Sequence, residues 1–379
     1  MKILFYAGLV GLVLFELMHI YFIMPLPGSQ EMPHLEVAYF LNRWQWSFRV
    51  GAALLILIGV IPTFTAYGKK WIPILSMLIT AVLVSLIHYK LDAAELFHEP
   101  DMVQLAPASG NHVDPKHLVL GVVMGKEARA YPIPFLAYHH QVRDTVAGTP
   151  ILVTYCSVCR TGRVFSSLVD GQPETFRLVG MDHYNALFED THTHSWWRQA
   201  NGEAVIGSLT GTHLPEVVSQ QATLSEWLTL HPNSLIFQGD PAYAAQYETD
   251  FKYEEGTKTD ELTGTDHQSW HDKSWVVGID AGQASKAYDW NRLKNQHVIN
   301  DVVGNVPVLL VLAKDNASFF AYQRPDVNTT YHLEKDSLIT TGHAYDLAGR
   351  SSSGRLRPLL ASQEFWHSWR TFHPKTERY

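Results

Sequence analysis

A chain of 379 residues has room for two or three domains and a substantial core. Its formal charge of −8, without a basic stripe or a run of like charges, argues against nucleic acid as a partner. The 46% hydrophobic content hides a split, because residues 1–94 are strongly apolar and the remainder has ordinary globular composition.

Three apolar stretches come first. Ile3–Met24, Phe48–Tyr67 and Trp71–Tyr89 each approach the roughly 20 residues that a membrane-crossing helix needs. The first is too long for the apolar core of a signal peptide, and two further spans follow it. Lys69 and Lys70 lie in the tight connection between the second and third spans, which the positive-inside rule assigns to the cytoplasm. Lys2 puts the N-terminus on the same side, so three crossings leave the rest of the chain outside. This reading makes the protein membrane-embedded, with its C-terminal part facing the far side of the membrane from the cytoplasm. Glu16 and His19, three residues apart in the first span, share one helical face; ionisable groups at such positions are functional candidates, but without a second E-x-x-H in the other spans, pairing with each other or a neighbouring helix is the favoured reading.

Beyond residue 94 the chain repeats itself. Gly121–Phe165 aligns without gaps with Gly278–Tyr322 at a constant offset of 157 residues. The pairs Gly121/Gly278, Tyr131/Tyr288, His140/His297, Asp144/Asp301 and Pro150/Pro307 are identical. Each copy closes alike, with Trp227 leading to His231-Pro232 and Trp369 to His373-Pro374.

One copy predicts a strand at Leu118–Met124, a returning strand at Glu127–Tyr131 and a short helix over Pro132–His139. A buried strand at Thr149–Tyr155 follows. Val164–Val169 and Thr175–Val179 flank Asp170-Gly171 as a hairpin, and Thr223-Leu-Ser-Glu226 reads as a capping box that opens a helix. The fold class is therefore α+β and β-rich, with two duplicated lobes after three transmembrane helices. The expected domains are a membrane anchor (1–94), a first lobe (95–238), a polar linker (239–272) and a second, degenerate lobe (273–379).

The two cysteines of the chain stand as Cys156-Ser-Val-Cys159 at the end of the buried strand, beside Arg160 and Arg163. Positive charge and a helix N-terminus both lower a thiol's pKa and favour the reactive thiolate, so the arginines are expected to tune the pair. The second lobe serves as an internal control. It has Ala313 and Asn316 opposite the cysteines, so the lobe folds without thiols. His139 faces Gln296 and is likewise released from a shared duty, whereas His140 matches His297 and is as readily a structural histidine, with Asp144/Asp301 as a partner. His183 has no counterpart. In Asp190–Gln199, strand-like alternation puts His192 and His194 on one face.

Three readings remain open. In the first, Cys156 and Cys159 form a thiol/disulfide couple, with Arg160 and His139 assisting, as in a thiol oxidoreductase. In the second, Cys156, Cys159, His139, His140 and His183 supply ligands for copper or zinc, whose softness suits an S/N set. In the third, the lobes form a non-enzymatic accessory or ligand-binding module. The partner of the thiols is unassigned in each case.

Gly125-Lys-Glu-Ala-Arg-Ala-Tyr131-Pro132, Tyr138-His139-His140-Gln-Val-Arg-Asp144, Val153-Thr-Tyr-Cys156-Ser-Val-Cys159-Arg-Thr-Gly162, Phe176–Asn185 and Ser195-Trp-Trp-Arg-Gln199 resemble motifs of a bacterial family. That family is catalogued only as domain of unknown function 3179, and the likeness extends over most of residues 95–379. The apolar spans, with Met24-Pro-Leu-Pro-Gly-Ser-Gln30, resemble a membrane-anchored subgroup. Some relatives are described as selenoproteins with selenocysteine in the motif. The resemblance therefore implies redox chemistry at the Cys156/Cys159 positions, because selenocysteine is rarely kept for structure.

Overall fold

Long apolar runs form helices because a helix satisfies its own backbone groups where no water is available. The computed structural model, which describes residues 2–247, 250–256 and 265–379, contains α1 (Lys2–Ile23), the short α2 (Leu35–Arg43), α3 (Gln45–Ala66) and α4 (Trp71–Leu91). By length and composition, α1, α3 and α4 can each cross a membrane, with mean hydropathies of 2.0, 1.9 and 2.1. Glu16 on α1 receives two bonds from Arg49 on α3, at 2.8 and 3.0 Å. The buried carboxylate thus finds its partner on a neighbouring helix.

The chain forms two compact units. One comprises Met1–His98, Phe176–Trp197 and Ala204–Thr210, and the other Glu99–Thr175, Arg198–Glu203 and Gly211–Tyr379.

The second unit contains the duplication, and it repeats element for element. Lobe 1 runs β1 (Leu118–Met124), β2 (Glu127–Pro132), α5 (Ile133–His139), β3 (Gln141–Val146), β4 (Thr149–Cys156) and β5 (Thr161–Ser166). After the stretch that contains β6 (Phe176–Asp182), β7 (Asn185–Asp190), β8 (Trp196–Arg198) and β9 (Ala204–Ile206), it closes with β10 (Ser219–Thr223), α6 (Leu224–Leu230) and β11 (Leu235–Phe237). Lobe 2 runs β12 (Trp275–Asp280), β13 (Ser285–Asp289), α7 (Trp290–Gln296), β14 (Val298–Val303), β15 (Val306–Leu312) and β16 (Phe319–Gln323). It ends with β17 (Ala361–Phe365), α8 (Trp366–Phe372) and β18 (Glu377–Arg378). The sheet β11-β2-β1-β10 of lobe 1 is matched by β18-β13-β12-β17 of lobe 2, and β3-β4-β5 by β14-β15-β16.

The identities between the copies have physical causes. A Cβ on Gly121 would lie 2.1 Å from the Trp227 ring, and one on Gly278 would lie 2.1 Å from the Trp369 ring. Only glycine admits the buried indole at either place. His140 and His297 both cap their helices with a left-handed backbone, φ 60° and 56°. Each also passes its carbonyl to the next sheet, accepting from Tyr155 N–H at 3.0 Å and from Leu312 N–H at 2.8 Å. Tyr131 donates to Asp144 at 2.6 Å and Tyr288 to Asp301 at 3.0 Å. The shared aspartate thus takes a tyrosine, in place of the histidine expected from sequence.

The lobes also exchange packing partners. Strand β17 of lobe 2 lies against β5 of lobe 1, and β10 of lobe 1 against β16 of lobe 2. At the crossing the equivalent residues Gln221 and Gln363 bond each other at 2.8 Å.

In the other unit, β6 to β9 form a four-stranded antiparallel sheet. Val179, Leu187 and Trp196 from that sheet share a core with Ile20, Ile23, Ala38 and Ile87. The Asp170-Gly171 hairpin exists, but its arms are only Leu168–Val169 and Gln172–Pro173, and β6 pairs with β7. The expected His192/His194 strand is a turn. Asp190 accepts from the backbone of Thr193, His194 and Ser195 and from Trp197 Nε1, which bends the chain before alternation can begin. Of the stretch expected to be a linker, residues 248–249 and 257–264 lie outside the described residues.

Candidate functional site

Strands β4 and β5 pair in antiparallel register from Ile151↔Ser166 to Cys156↔Thr161, so the C-x-x-C is the tight turn of a hairpin. No helix starts there, and the expected help from a helix N-terminus is absent. Arg160 carries the turn in a left-handed backbone, φ 56°. Both cysteines are fully buried thiols. From below, Gln199 donates to Thr154 Oγ1 at 3.1 Å and to the Thr161 carbonyl at 3.0 Å.

Lobe 2 covers the turn. Phe365 N–H donates to the Cys159 carbonyl at 3.1 Å, and the His367 ring bonds the backbone of Val158, between the two cysteines. Cys156 and Ser368 are side-chain neighbours of the Cys159 thiol. The Ser368 hydroxyl donates to Glu364 Oε2 at 2.5 Å. Glu364, 1% exposed, also accepts from Ser362 at 2.8 Å, Arg163 at 3.2 Å and Thr161 at 3.3 Å. A carboxylate that deep is tolerated only with such a set of donors. The chain cys–ser–glu thus runs from the motif into the other lobe.

The arginines do not play the expected part. Arg160 is committed to the Glu254 carbonyl at 2.5 Å and Gln363 Oε1 at 2.7 Å, and its guanidinium lies 3.8 Å from the Trp275 ring centroid. Arg163 bridges Glu216, at 3.0 Å, and Glu364. Burial pushes the Cys159 thiol well above the usual range, and the neighbouring Cys156 and Glu364 push the same way. This is the reverse of the lowered pKa expected for a thiol beside positive charge. Burial brings His367 down to about 4, so it stands as a neutral imidazole at ordinary pH.

The histidines singled out from sequence have other partners. His139 Nε2 meets Tyr247 Oη at 2.6 Å, and Tyr247 lines a surface cleft of about 550 Å³ with Phe135, Asp240 and Pro241. His140 Nδ1 bonds the Tyr138 carbonyl at 3.2 Å, and burial lowers it to about 4. His183 belongs to the other compact unit, in the turn between β6 and β7. Among the described residues no three His, Cys, Asp or Glu side chains are grouped to hold a metal ion.

Sequence reasoning missed Glu364, Ser368 and His367. A signal for them existed, because matching the lobe ends at Trp227 and Trp369 sets Glu364 against Ala222, His367 against Ser225 and Ser368 against Glu226. All three differ between the copies, as the cysteines do.

A family model described as "Protein of unknown function (DUF3179)" matches residues 97–376. No curated protein and no solved structure matches the chain.

Proposed function

The chain belongs to the DUF3179 family, and we propose that it is a membrane-anchored thiol/disulfide oxidoreductase whose composite site lies outside the cytoplasm. The observation that carries this reading is the mutual contact of the two thiols, with Cys159 linked through Ser368 to a buried carboxylate. A dithiol turn of this kind needs one sulfur to attack, one to resolve and an acceptor for the proton released. The selenocysteine said to occur in similar proteins supports the same chemistry.

The partner is a disulfide, R–S–S–R′. Cys156, as thiolate, attacks one partner sulfur, the partner S–S bond breaks, and the leaving thiolate takes up a proton. Cys159 then loses its proton to Ser368 as the Ser368 proton moves to Glu364, and its thiolate attacks the Cys156 mixed disulfide. The second partner thiolate leaves and is protonated. Two protein thiols are oxidised to one disulfide and one partner disulfide is reduced to two thiols. The raised pKa of Cys159 fits the resolving role, because that thiol is needed as thiolate only at the second step. Both sulfurs are covered, so exchange requires displacement of the Ser157-Val158 turn. Arg160 positions that turn and does not touch the reacting sulfur.

The test is trapping in the full-length, membrane-extracted protein with a model disulfide. Cys159→Ser should accumulate a mixed disulfide through Cys156, and Cys156→Ser should not. Equal trapping by the two variants, or none by either, contradicts the assignment. Glu364→Gln, which keeps the shape and one acceptor oxygen but accepts a proton poorly, should slow resolution near neutral pH, and the deficit should shrink as rising pH ionises Cys159 without a base, whereas a purely structural role would shift the rate equally at every pH.

A further inference from the structure

The cleft of about 550 Å³ beside Tyr247, which lies wholly within the second unit, carries chemistry that the thiol site does not use. His117, the residue before β1, lines it and is only 7% exposed. Its Nδ1 lies 2.6 Å from Oε1 of Glu254, a buried carboxylate on the short helix Lys252–Glu255. An ionised carboxylate only accepts, so the proton sits on Nδ1 and Nε2 of the neutral ring carries a lone pair. Among the described residues that Nε2 has no hydrogen-bond partner, and it is not sealed from solvent. The Phe251 ring, with its centroid 4.5 Å away, packs against the imidazole and helps to fix it. A buried, oriented ring thus offers one open acceptor to the cleft.

The rest of the lining sets the sign of the ligand. It includes Asp114 and Asp240 and neither lysine nor arginine. Asp114 is exposed. Asp240 accepts from Ala242 N–H at 2.9 Å and Met102 N–H at 3.1 Å, and the Ala242 bond holds its carboxyl below the usual range. The rings of Phe135 and Tyr247, 4.6 Å apart between centroids, add aromatic surface to the same cleft. Aromatic faces attract cations, most strongly where water is partly excluded.

Lobe 2 again serves as a control. The offset of 157 residues sets Ser274 opposite His117 and Arg292 opposite Phe135, so the shared fold requires neither residue. Lobe 2 also supplies its own cation at the equivalent place, because the Arg292 guanidinium lies 3.9 Å from the Tyr379 ring centroid. Matching the lobe ends makes Tyr379 the counterpart of Phe237, which packs on Phe135 at 5.7 Å. Lobe 1 keeps the aromatic surface and lines its cleft with acids in place of that cation.

We propose that this cleft binds a small organic ammonium ion with an apolar body. Its N–H donates to His117 Nε2 beside Asp114, and Phe135 and Tyr247 cover the apolar part. A cleft of this volume is of the usual size for a small molecule. A proton on Nε2 removes the acceptor and repels the ligand, so affinity falls as His117 protonates. The charged groups that face His117 are Glu254, Asp114 and Asp250, the last paired with Lys252 at 2.8 Å. Burial pulls the His117 pKa down, but the Glu254 bond and these charges outweigh it and raise the group. The site is independent of the cysteines and of the redox reading.

The test is calorimetric titration of the full-length, membrane-extracted protein with phenethylamine, 2-phenylethanol and phenylacetate, which share a ring and differ in charge. At about pH 8.5, well above the ordinary histidine pKa of about 6.5, one phenethylamine should bind per chain. The neutral alcohol should bind at least about tenfold more weakly, the loss of one charged hydrogen bond, and phenylacetate more weakly still. Lowering the pH should weaken phenethylamine binding, and His117→Phe should both weaken it by about tenfold and remove that pH dependence. Asp114→Asn, at an exposed position that leaves the fold intact, should weaken the amine by about two- to fivefold and leave the alcohol unchanged. No binding of phenethylamine, equal or tighter binding of phenylacetate, or an amine affinity that Asp114→Asn and pH both leave unchanged overturns the proposal.

Discussion

The two lobes of the second unit make the same turn in opposite ways. In lobe 2 the turn after β15 is satisfied from within, and Thr223 of lobe 1 adds bonds to Asp315 and Ser318. Asp315 accepts from Ala317 N–H, Ser318 N–H and Ser318 Oγ, so local groups satisfy the bend. In lobe 1 the equivalent turn has cysteines and Arg160, and much of its polar support comes from elsewhere: Glu254, Gln363 and Phe365. The same fold thus tolerates both a cheap local solution and one that depends on residues about two hundred positions away. The second arrangement brings two thiols and a carboxylate into one dry site. That difference is the best evidence that the cysteines serve chemistry beyond the fold.

Substitutions sharpen this comparison. The largest effect is expected where the lobes agree. Trp227→Ala and Trp369→Ala remove the indoles facing Gly121 and Gly278 and should each cost about 3–5 kcal/mol, read by chemical denaturation. Strongly unequal costs would break the equivalence of the lobes.

Titration gives an intermediate effect. Folded Cys159 has a raised pKa, so the folded state holds this proton more tightly than the unfolded chain. Its stabilisation is complete below the unfolded thiol pKa of about 8.5 and is lost as pH rises above that value, at about 1.4 kcal/mol per pH unit. Cys159→Ser should flatten the alkaline slope. His140, His231 and His367, each lowered to about 4, act with the opposite sign. Their stabilisation is present above the unfolded histidine pKa of about 6.5 and is lost as pH falls toward 4. His367→Gln should lessen the acid loss, measured as melting temperature against pH.

The smallest change in stability is expected where the lobes differ. Replacing both cysteines by Ala, the residue lobe 2 carries opposite Cys156, should change stability by only about 1 kcal/mol while abolishing thiol exchange. Loss of folding in this double variant would contradict the view that the motif is an addition to a fold that does not need it.

Much of the fold is legible in the sequence because its causes are local or repeated. The apolar spans declare themselves by length, and Gly121/Gly278 and His140/His297 repeat because the same indole and the same helix cap recur. The Thr223–Glu226 box is half right: Thr223 Oγ1 caps Glu226 N–H at 3.1 Å, but its own N–H is taken by Ser318 of the other lobe. The site is half legible for the same reason. Cys156 and Cys159 stand in a motif, whereas Glu364 and Ser368 reach them through packing between lobes, which no spacing encodes. Arg160 and Arg163 stand close to the cysteines in sequence, yet their guanidinium groups are directed to the Glu254 carbonyl and to the Glu216 and Glu364 carboxylates. Proximity along the chain fixed neither their direction nor their effect on the thiols.

A redox titration of the full-length protein tests the central claim most directly. After equilibration in thiol/disulfide buffers of stepped potential, Cys156 and Cys159 are alkylated under denaturing conditions and each is quantified by mass. The account predicts that both convert together and reversibly, in a single two-electron transition. Thiols that stay reduced at every potential, or a disulfide that no thiol buffer reduces, would contradict it.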